Sequence, residues 1–404
     1  MERFHLDIPF NRPYATGREF EYIAEAIERL QLSGNGPFGR RCEDWLARTM
    51  GAHRALLTPS ATAGLELAAL LAEIRDGDEV IMPSFTFSST ATAFVLRGAV
   101  PVFVDVREDT LNIDEEVVEA AVTDRTRAIV PVHYAGVAAE LDPLLELAKR
   151  RGLTLIEDAA QAIGSTYRGR PVGSDCELSA VSFHETKNVM CGEGGALLVN
   201  APELVERAEI IREKGTDRAQ LFRGEVDKYS WRDIGSSFLL SEINAAFLWA
   251  QLEAEEEIRR GRLELWNAYH DAFDELEFDG LVRRPVVPEH CTHNAHLYYL
   301  LLPDEAARDR LIERLRLESI AAIFHYVPLH SSEAGRRYGR AHGDLSRTDS
   351  VSGRVLRLPL WIGMGPAEIE RVVDAVDRSL RAEAVGILRR LDDLPTSEGD
   401  GRFP

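Results

Sequence analysis

The feature that most constrains the fold is the rhythm of residues 55–199, where short apolar runs alternate with amphipathic segments. Runs at 55–58, 79–82, 100–104, 128–132 and 153–157 read as strands, each four or five residues long and bounded by turn-forming residues. The stretches between them, 62–72, 88–96, 115–121 and 140–150, carry helical spacing. A strand that re-enters a sheet in the same direction needs a crossover connection, and these helices supply it. The rhythm therefore predicts an α/β fold with a mostly parallel sheet covered on both faces. Two further runs, 181–183 and 196–199, bring the expected sheet to seven strands.

Helices are predicted over 18–32 and 39–50 before this region, separated by Ser33-Gly34-Asn35-Gly36-Pro37, and over 202–213 and 239–276 after it. Beyond residue 277 the alternation stops. Strands at 297–302 and 321–324 and helices at 305–317 and 366–388 suggest a smaller α+β unit. The expected division is a large domain over 1–276, a small C-terminal domain over 277–388, and a polar, Gly/Pro-rich tail over 389–404 that lacks the apolar residues needed to order it. With 404 residues, 45% of them hydrophobic, the chain can bury cores of that size. A formal charge of -20 opposes binding to nucleic acid or an anionic membrane. The four cysteines show no paired spacing, and no apolar run approaches the roughly 20 residues of a membrane span. A cytoplasmic protein without nucleic-acid or membrane partners is expected.

The chemistry centres on Lys187, in Ser182-Phe183-His184-Glu185-Thr186-Lys187-Asn188 at the end of a predicted strand. A lone lysine is ordinarily a solvated charge. Here, however, the strand 153–157 leads into Asp158, 29 residues earlier. A lysine and an aspartate at strand ends suit pyridoxal phosphate: the amine bonds to the cofactor aldehyde, and the carboxylate keeps the pyridine nitrogen protonated so that the ring accepts electrons. The turn Thr58-Pro59-Ser60-Ala61-Thr62-Ala63 joins a strand to a helix, where free amides and hydroxyls suit a phosphate monoester, or alternatively serve as a plain helix cap. Phe85 and Phe87 follow the next strand, as a platform for a flat ring or as core. Gly192-Glu193-Gly194-Gly195 precedes a strand, unlike a dinucleotide fingerprint, and reads as a tight turn beside Lys187. His290, Cys291, His293 and His296 invite a metal reading, but they straddle a loop and a strand start, and no metal is expected. His325 and His330 bracket a proline-containing turn that either faces the active site or is packed loop.

Together these residues resemble the DegT/DnrJ/EryC1/StrS sugar aminotransferases, from about residue 8 to 380, with Glu157-Asp158-Ala159-Ala160-Gln161 and Ser182 to Lys187 the most specific segments. The resemblance implies a fold-type I, aspartate aminotransferase-like architecture and pyridoxal phosphate as cofactor. It implies Lys187 as the cofactor-bonded lysine, Asp158 as the pyridinium partner, Gln161 near the phenolic oxygen, Ser60, Ala61, Thr62 and Ser182 around the phosphate, and Phe87 stacked on the ring. His184, His325, Tyr326 and His330 are candidates for the substrate side. One departure is Gly235-Ser236-Ser237-Phe238-Leu239 where relatives carry Gly-x-Asn-x-Arg, so that Ser237 would have to replace the asparagine that reaches the partner subunit's cofactor phosphate in a homodimer with shared sites. Residues 131–136, 183–188 and 231–237 look like the branch that aminates dTDP-4-dehydro-6-deoxy-D-glucose with L-glutamate, giving dTDP-4-amino-4,6-dideoxy-D-galactose for surface polysaccharide and 2-oxoglutarate. Two rivals differ in kind. A dehydratase of the same family would carry histidine in place of Lys187, and a non-catalytic cofactor-binding regulator would need a DNA-reading module, for which there is no basic helix pair.

Overall fold

The computed structural model describes residues 6–392, and side chains through residue 384. The predicted strands assemble into one sheet, in the order Arg54–Thr58, Gly195–Val199, Leu178–Ser182, Thr154–Asp158, Thr126–Ile129, Glu79–Pro83, Val100–Val104 and Arg340–Ala341. Gly195–Val199 runs against its two neighbours, and the other pairings are parallel. Successive residues of each strand feed opposite cores. Leu57, Ile81, Val102, Ile129, Leu155, Val181 and Leu198 point to one face; Leu56, Val80, Ala128, Ile156, Ala180 and Leu197 point to the other. Burial on both faces explains why these strands read as continuous apolar runs rather than alternating ones. Each fully buried Leu, Ile or Val contributes about 1.5–3 kcal/mol.

The sheet is larger than the expected seven strands by the short strand Arg340–Ala341, which comes from beyond residue 277 and pairs with Val102 and Phe103. The predicted helix over 239–276 is divided into Glu242–Glu253 and Glu255–Ala272, because Ala254 (φ -100, ψ 7) leaves helical geometry. Glu255, Glu256 and Glu257 then occupy the first turn of the second helix, where negative charge is favoured.

The C-terminal part forms a three-stranded antiparallel sheet, Tyr298–Leu301, Val355–Leu358 and Ile323–Phe324, over a core that includes Trp266, Tyr298, Leu311, Leu356, Trp361 and Val372. Its central strand, Val355–Leu358, was not expected from the sequence; it is a four-residue run directly after the helix Ser346–Arg354. The last helix, Pro366–Asp392, runs past the predicted end at 388, and the rest of the expected tail lies outside the described residues. Among the described residues, no helix is long and apolar enough to cross a membrane.

Candidate active site

Ligands of such sheets bind beyond the carboxyl ends of the strands, and the candidate residues gather there. Thr58 and Ser182 pair with Gly195 from opposite sides, and Asp158 pairs with Ala180. The turns after Thr58, Asp158 and Ser182 therefore emerge side by side on one edge. Gly195 is required by close approach. A Cβ there would fall inside the Ser60–Ala61 backbone. The glycine run thus opens with a turn, Gly192 at φ +81, and closes by admitting the Ser60 turn against the sheet.

Ser60 caps the helix Ala61–Leu71, its Oγ accepting from the Ala63 amide at 3.1 Å. Ala61 opens that helix, and the Thr62 hydroxyl donates to Ser89 Oγ at 2.8 Å, tying it to the start of the helix Ser88–Val95. The Phe85 and Phe87 pair divides: Phe85 is buried against Tyr134 and Tyr326, with ring centroids 5.2 and 5.4 Å away, whereas Phe87 is 59% exposed at the rim. Asp158 is buried at its strand end, where Oδ2 accepts from Thr90 Oγ1 at 2.7 Å and Oδ1 from the Ala160 amide at 3.2 Å. Thr86 in turn bonds Thr90 at 2.8 Å, so the carboxylate is oriented by a two-hydroxyl chain. Sequence reading missed Thr90, although Ser88-Ser89-Thr90 at a helix start was a visible cluster of donors.

Lys187 sits in the turn between the antiparallel strands Leu178–Ser182 and Gly195–Val199, its amide bonded to the His184 carbonyl at 2.9 Å. Part of its surface remains open, but dense surroundings and the Arg357 guanidinium outweigh the attraction of Asp158. Burial is the largest cause, and the ammonium pKa falls from 10.5 to about 8. The adjacent Asn188 donates to the Asn294 carbonyl at 2.7 Å and pairs with His296 Nδ1 at 3.2 Å. Ser182, Lys187, Asn188, Gln161, Asn294 and His296 line one small cavity.

Gln161 is clasped from both sides. Its Oε1 accepts from the Ala135 amide at 2.8 Å, and its Nε2 donates to the Tyr326 hydroxyl at 2.9 Å. Ala135 and Tyr326 both hold positive φ, 58° and 29°, which side chains with a Cβ rarely adopt; such strain concentrates at functional sites. His325 stacks on Tyr326, with centroids 3.6 Å apart, and bonds the Tyr134 hydroxyl at 2.8 Å. Burial, with Arg357 and Lys187 nearby, holds the His325 pKa well below its ordinary value. Burial and the same cations, together with Arg262 and His325, do likewise for His296.

The side chains of the remaining histidine candidates are engaged by other partners. His330 bonds Ser84, whose hydroxyl pairs with Nδ1 at 2.8 Å and accepts from the His330 amide at 3.0 Å, so it fastens the turn to the large sheet. His184 is engaged within its own loop by Thr186 and lies 3.7 Å from Glu193. Ser237 is exposed and bridges to Glu213; among the described residues no hydrogen bond joins it to the Lys187 group. His290 pairs with Glu140 and His293 Nδ1 accepts from the Ala295 amide. Among the described residues no group of three or more His, Cys, Asp or Glu is arranged to hold a metal.

Behind Asp158, a second pair is fully buried. His133 Nδ1 accepts from the Ala139 amide, so the ring proton resides on Nε2 and is donated to Glu157 Oε2 at 2.8 Å. Glu157 also accepts from the Gly173 and Cys176 amides and from Ser179 Oγ. Although burial pushes upward, these donors, led by His133, hold the Glu157 pKa below 4.5. The pair locks the strand carrying Asp158 to the segment around Tyr134.

A profile of the DegT/DnrJ/EryC1/StrS aminotransferase family matches residues 13–377. The spore coat polysaccharide biosynthesis protein SpsC of Bacillus subtilis is 34% identical over 384 residues, 93% of this chain and 97% of that protein. DesV of S. venezuelae superposes with a TM-score of 0.84 at 33% identity, covering 92% of this chain and 98% of DesV. Spr1654 of Streptococcus pneumoniae, in its PMP form, superposes at 0.86 with 25% identity, covering 93% of this chain and 100% of that one. A PLP form of Spr1654 superposes at 0.85.

Proposed function

As the chain belongs to the DegT/DnrJ/EryC1/StrS aminotransferase family, with the fold-type I architecture and pyridoxal phosphate dependence of its relatives, we propose that this aminotransferase transfers the amine of L-glutamate to a dTDP-linked 4-keto-6-deoxy sugar. The product is dTDP-4-amino-4,6-dideoxy-D-galactose. The observation that carries the reading is the gathering of Lys187, Asp158 and the Ser60–Thr62 turn at the carboxyl edge of one sheet.

The residues fit the cofactor. The Ser60–Thr62 turn and its helix N-terminus face the edge where Gly195 leaves room, and they would hold the phosphate together with Ser182. Asp158, oriented by Thr90, would hold the pyridine nitrogen, and the open Phe87 ring would cover one face of the pyridine. Gln161 retains one amide hydrogen for the phenolic oxygen. When bound, pyridoxal phosphate supplies an aldehyde that exchanges amines and a ring that accepts an electron pair.

In its neutral form Lys187 would take the proton from the glutamate Cα and, once charged, hand it on to the bound cofactor; in the second half it would act in reverse and deliver a proton to the sugar's C4. A pKa of about 8 leaves roughly a tenth of the amine neutral at pH 7, enough to serve in both directions. Thr90 fixes the carboxylate so that it does not swing away as charge moves. Tyr326, His325 and the exposed Phe87 and Val327 offer the sugar an aromatic and apolar wall.

The reading extends to a large domain over 1–276, a small domain over 277–388, and a cytoplasmic homodimer with shared sites serving surface polysaccharide synthesis. Four unpaired cysteines support a reducing compartment, and an exposed Ser237 is free to reach a second subunit. Incubation with glutamate and dTDP-4-keto-6-deoxyglucose, followed by NMR of the product, is expected to show an axial 4-amine. An equatorial amine refutes the galacto assignment, and full turnover by Lys187→Ala refutes the assignment of the lysine.

A further inference from the structure

His296 stands two residues before the strand Tyr298–Leu301 and lines the same small cavity as Lys187. Its backbone is pinned. Arg262 donates from Nη2 to the His296 carbonyl at 2.7 Å and from Nε to the Ala295 carbonyl at 3.0 Å. Its ring is aimed by two asparagines. Asn188 Nδ2 donates at 2.7 Å to the Asn294 carbonyl, an atom that only accepts, so Asn188 Oδ1 faces the ring and His296 Nδ1 carries the proton of their 3.2 Å bond. Asn294 is itself fixed, its Nδ2 donating to the Gln161 and Ile163 carbonyls at 2.8 Å, and Gly136 leaves it room, since a Cβ there would fall on Asn294 Oδ1. Burial, with Lys187, Arg262, His325 and Arg357 nearby, opposes a second proton on the ring. A neutral ring protonated on Nδ1 keeps a lone pair on Nε2, and among the described residues no hydrogen bond takes it up.

The cavity needs such an atom. With about 10 Å³ open to water, it admits a single molecule at most. A charged Lys187 brings three N–H donors, and a buried donor left unmet costs about 1–3 kcal/mol. The other acceptors of the lining are spent: Gln161 Oε1 on the Ala135 amide, Asn188 Oδ1 on His296, and Ser182 Oγ on the His184 amide at 3.4 Å, while Asn294 Oδ1 lies against Gly136. Asp158 accepts from Thr90 and Ala160, and under the reading above its remaining capacity goes to the pyridine nitrogen. His296 Nε2 is the acceptor that remains.

We propose that His296 is a positioning residue for Lys187: once the lysine is released from the cofactor, Nε2 accepts a hydrogen bond from its ammonium and holds the amine within reach of the carbon whose proton it moves. The ring takes no proton itself. The assignment rests on the transaminase reading. It gives Asn188 and Asn294 a part as well, because they decide which ring nitrogen is left to accept.

Two substitutions separate this role from packing. His296→Asn keeps an amide N–H where Nδ1 stood and loses the acceptor, whereas His296→Gln carries an amide oxygen to the Nε2 position. In the cofactor-loaded enzyme, His296→Asn is expected to slow both half-reactions, followed by cofactor absorbance, about 10- to 100-fold, with the KM values for glutamate and for the nucleotide keto sugar within about twofold. His296→Gln is expected to stay within about threefold of wild type. Wild-type rates in His296→Asn, equal losses in both variants, or a change confined to one substrate overturn the proposal. A second readout needs no turnover. In the cofactor-free protein carrying isotope-labelled histidine, nitrogen NMR of the ring signal that either variant removes is expected to show the proton on Nδ1; a proton on Nε2 overturns the assignment, because that atom would then donate. Should His296→Asn fail to fold, His296→Gln still identifies the signal, and a loss above about tenfold in that variant overturns the role. A wild-type enzyme that releases no 2-oxoglutarate from glutamate refutes the transaminase reading instead, whereas an Nε2 proton in an active enzyme refutes the part given to His296 alone.

Discussion

Lys187→Met in the cofactor-free protein tests the electrostatics of the site without reference to turnover. Methionine keeps the length and removes the charge. In the folded protein the ammonium pKa is about 8, against 10.5 ordinarily. Below pH 8 both folded and unfolded chains carry the proton, so the folded state bears the whole cost of holding a desolvated cation in the field of Arg357. Between 8 and 10.5 the folded chain sheds its proton first, the unfolded chain binds more protons, and stability rises with pH. Above 10.5 the cost is gone. At about 1.36 kcal/mol per pH unit the gap amounts to about 3 kcal/mol, reduced to about 1–3 kcal/mol because part of the side chain reaches solvent. Urea unfolding of both proteins from pH 6 to 10.5 provides the check, since the other titrating groups cancel in the difference. Wild type is expected to gain on the variant across that window. A flat difference would show an ordinary lysine and refute the account of Lys187 as a poised base.

Asp158→Asn should retain the Thr90 contact while removing the charge, lowering kcat by about 100-fold or more with cofactor still bound, as measured by turnover and cofactor absorbance. Gly195→Ala drives a methyl into the Ser60–Ala61 backbone and should cost about 1–3 kcal/mol in urea unfolding and weaken pyridoxal phosphate binding measured by fluorescence; unaltered affinity would sever the Ser60 turn from the phosphate. Glu157→Gln sets an amide against donors from His133, Gly173, Cys176 and Ser179, at a cost of about 3 kcal/mol in thermal or urea unfolding. The advantage of wild type over that variant should hold above pH 4.5, the ordinary value, and fade as pH falls through the lower folded pKa.

Several candidate positions could be singled out in the sequence because they sit where local pattern and topology coincide. Lys187, Asp158 and Ser60 each follow an apolar strand in a βα series, and parallel strands necessarily bring such turns to one edge. The histidines attract notice by residue type, and only the fold shows their partners: His330 meets Ser84, His184 meets Thr186, and His325 meets Tyr134 and Tyr326. Thr90, 68 residues from Asp158, went unnoticed because its role exists only when two strand ends meet.

The sequence by itself determined the mostly parallel sheet, its helical crossovers and the lysine and aspartate at strand ends, because periodicity and turn chemistry act over a few residues and survive without knowledge of the rest. Only the tertiary structure decided which hydroxyl orients Asp158, that Gln161 is gripped by two strained residues, and that Gly195 exists to admit the Ser60 turn. Those are contacts between segments up to 165 residues apart. Their physics depends on burial and distance, quantities that arise only when the chain has closed on itself.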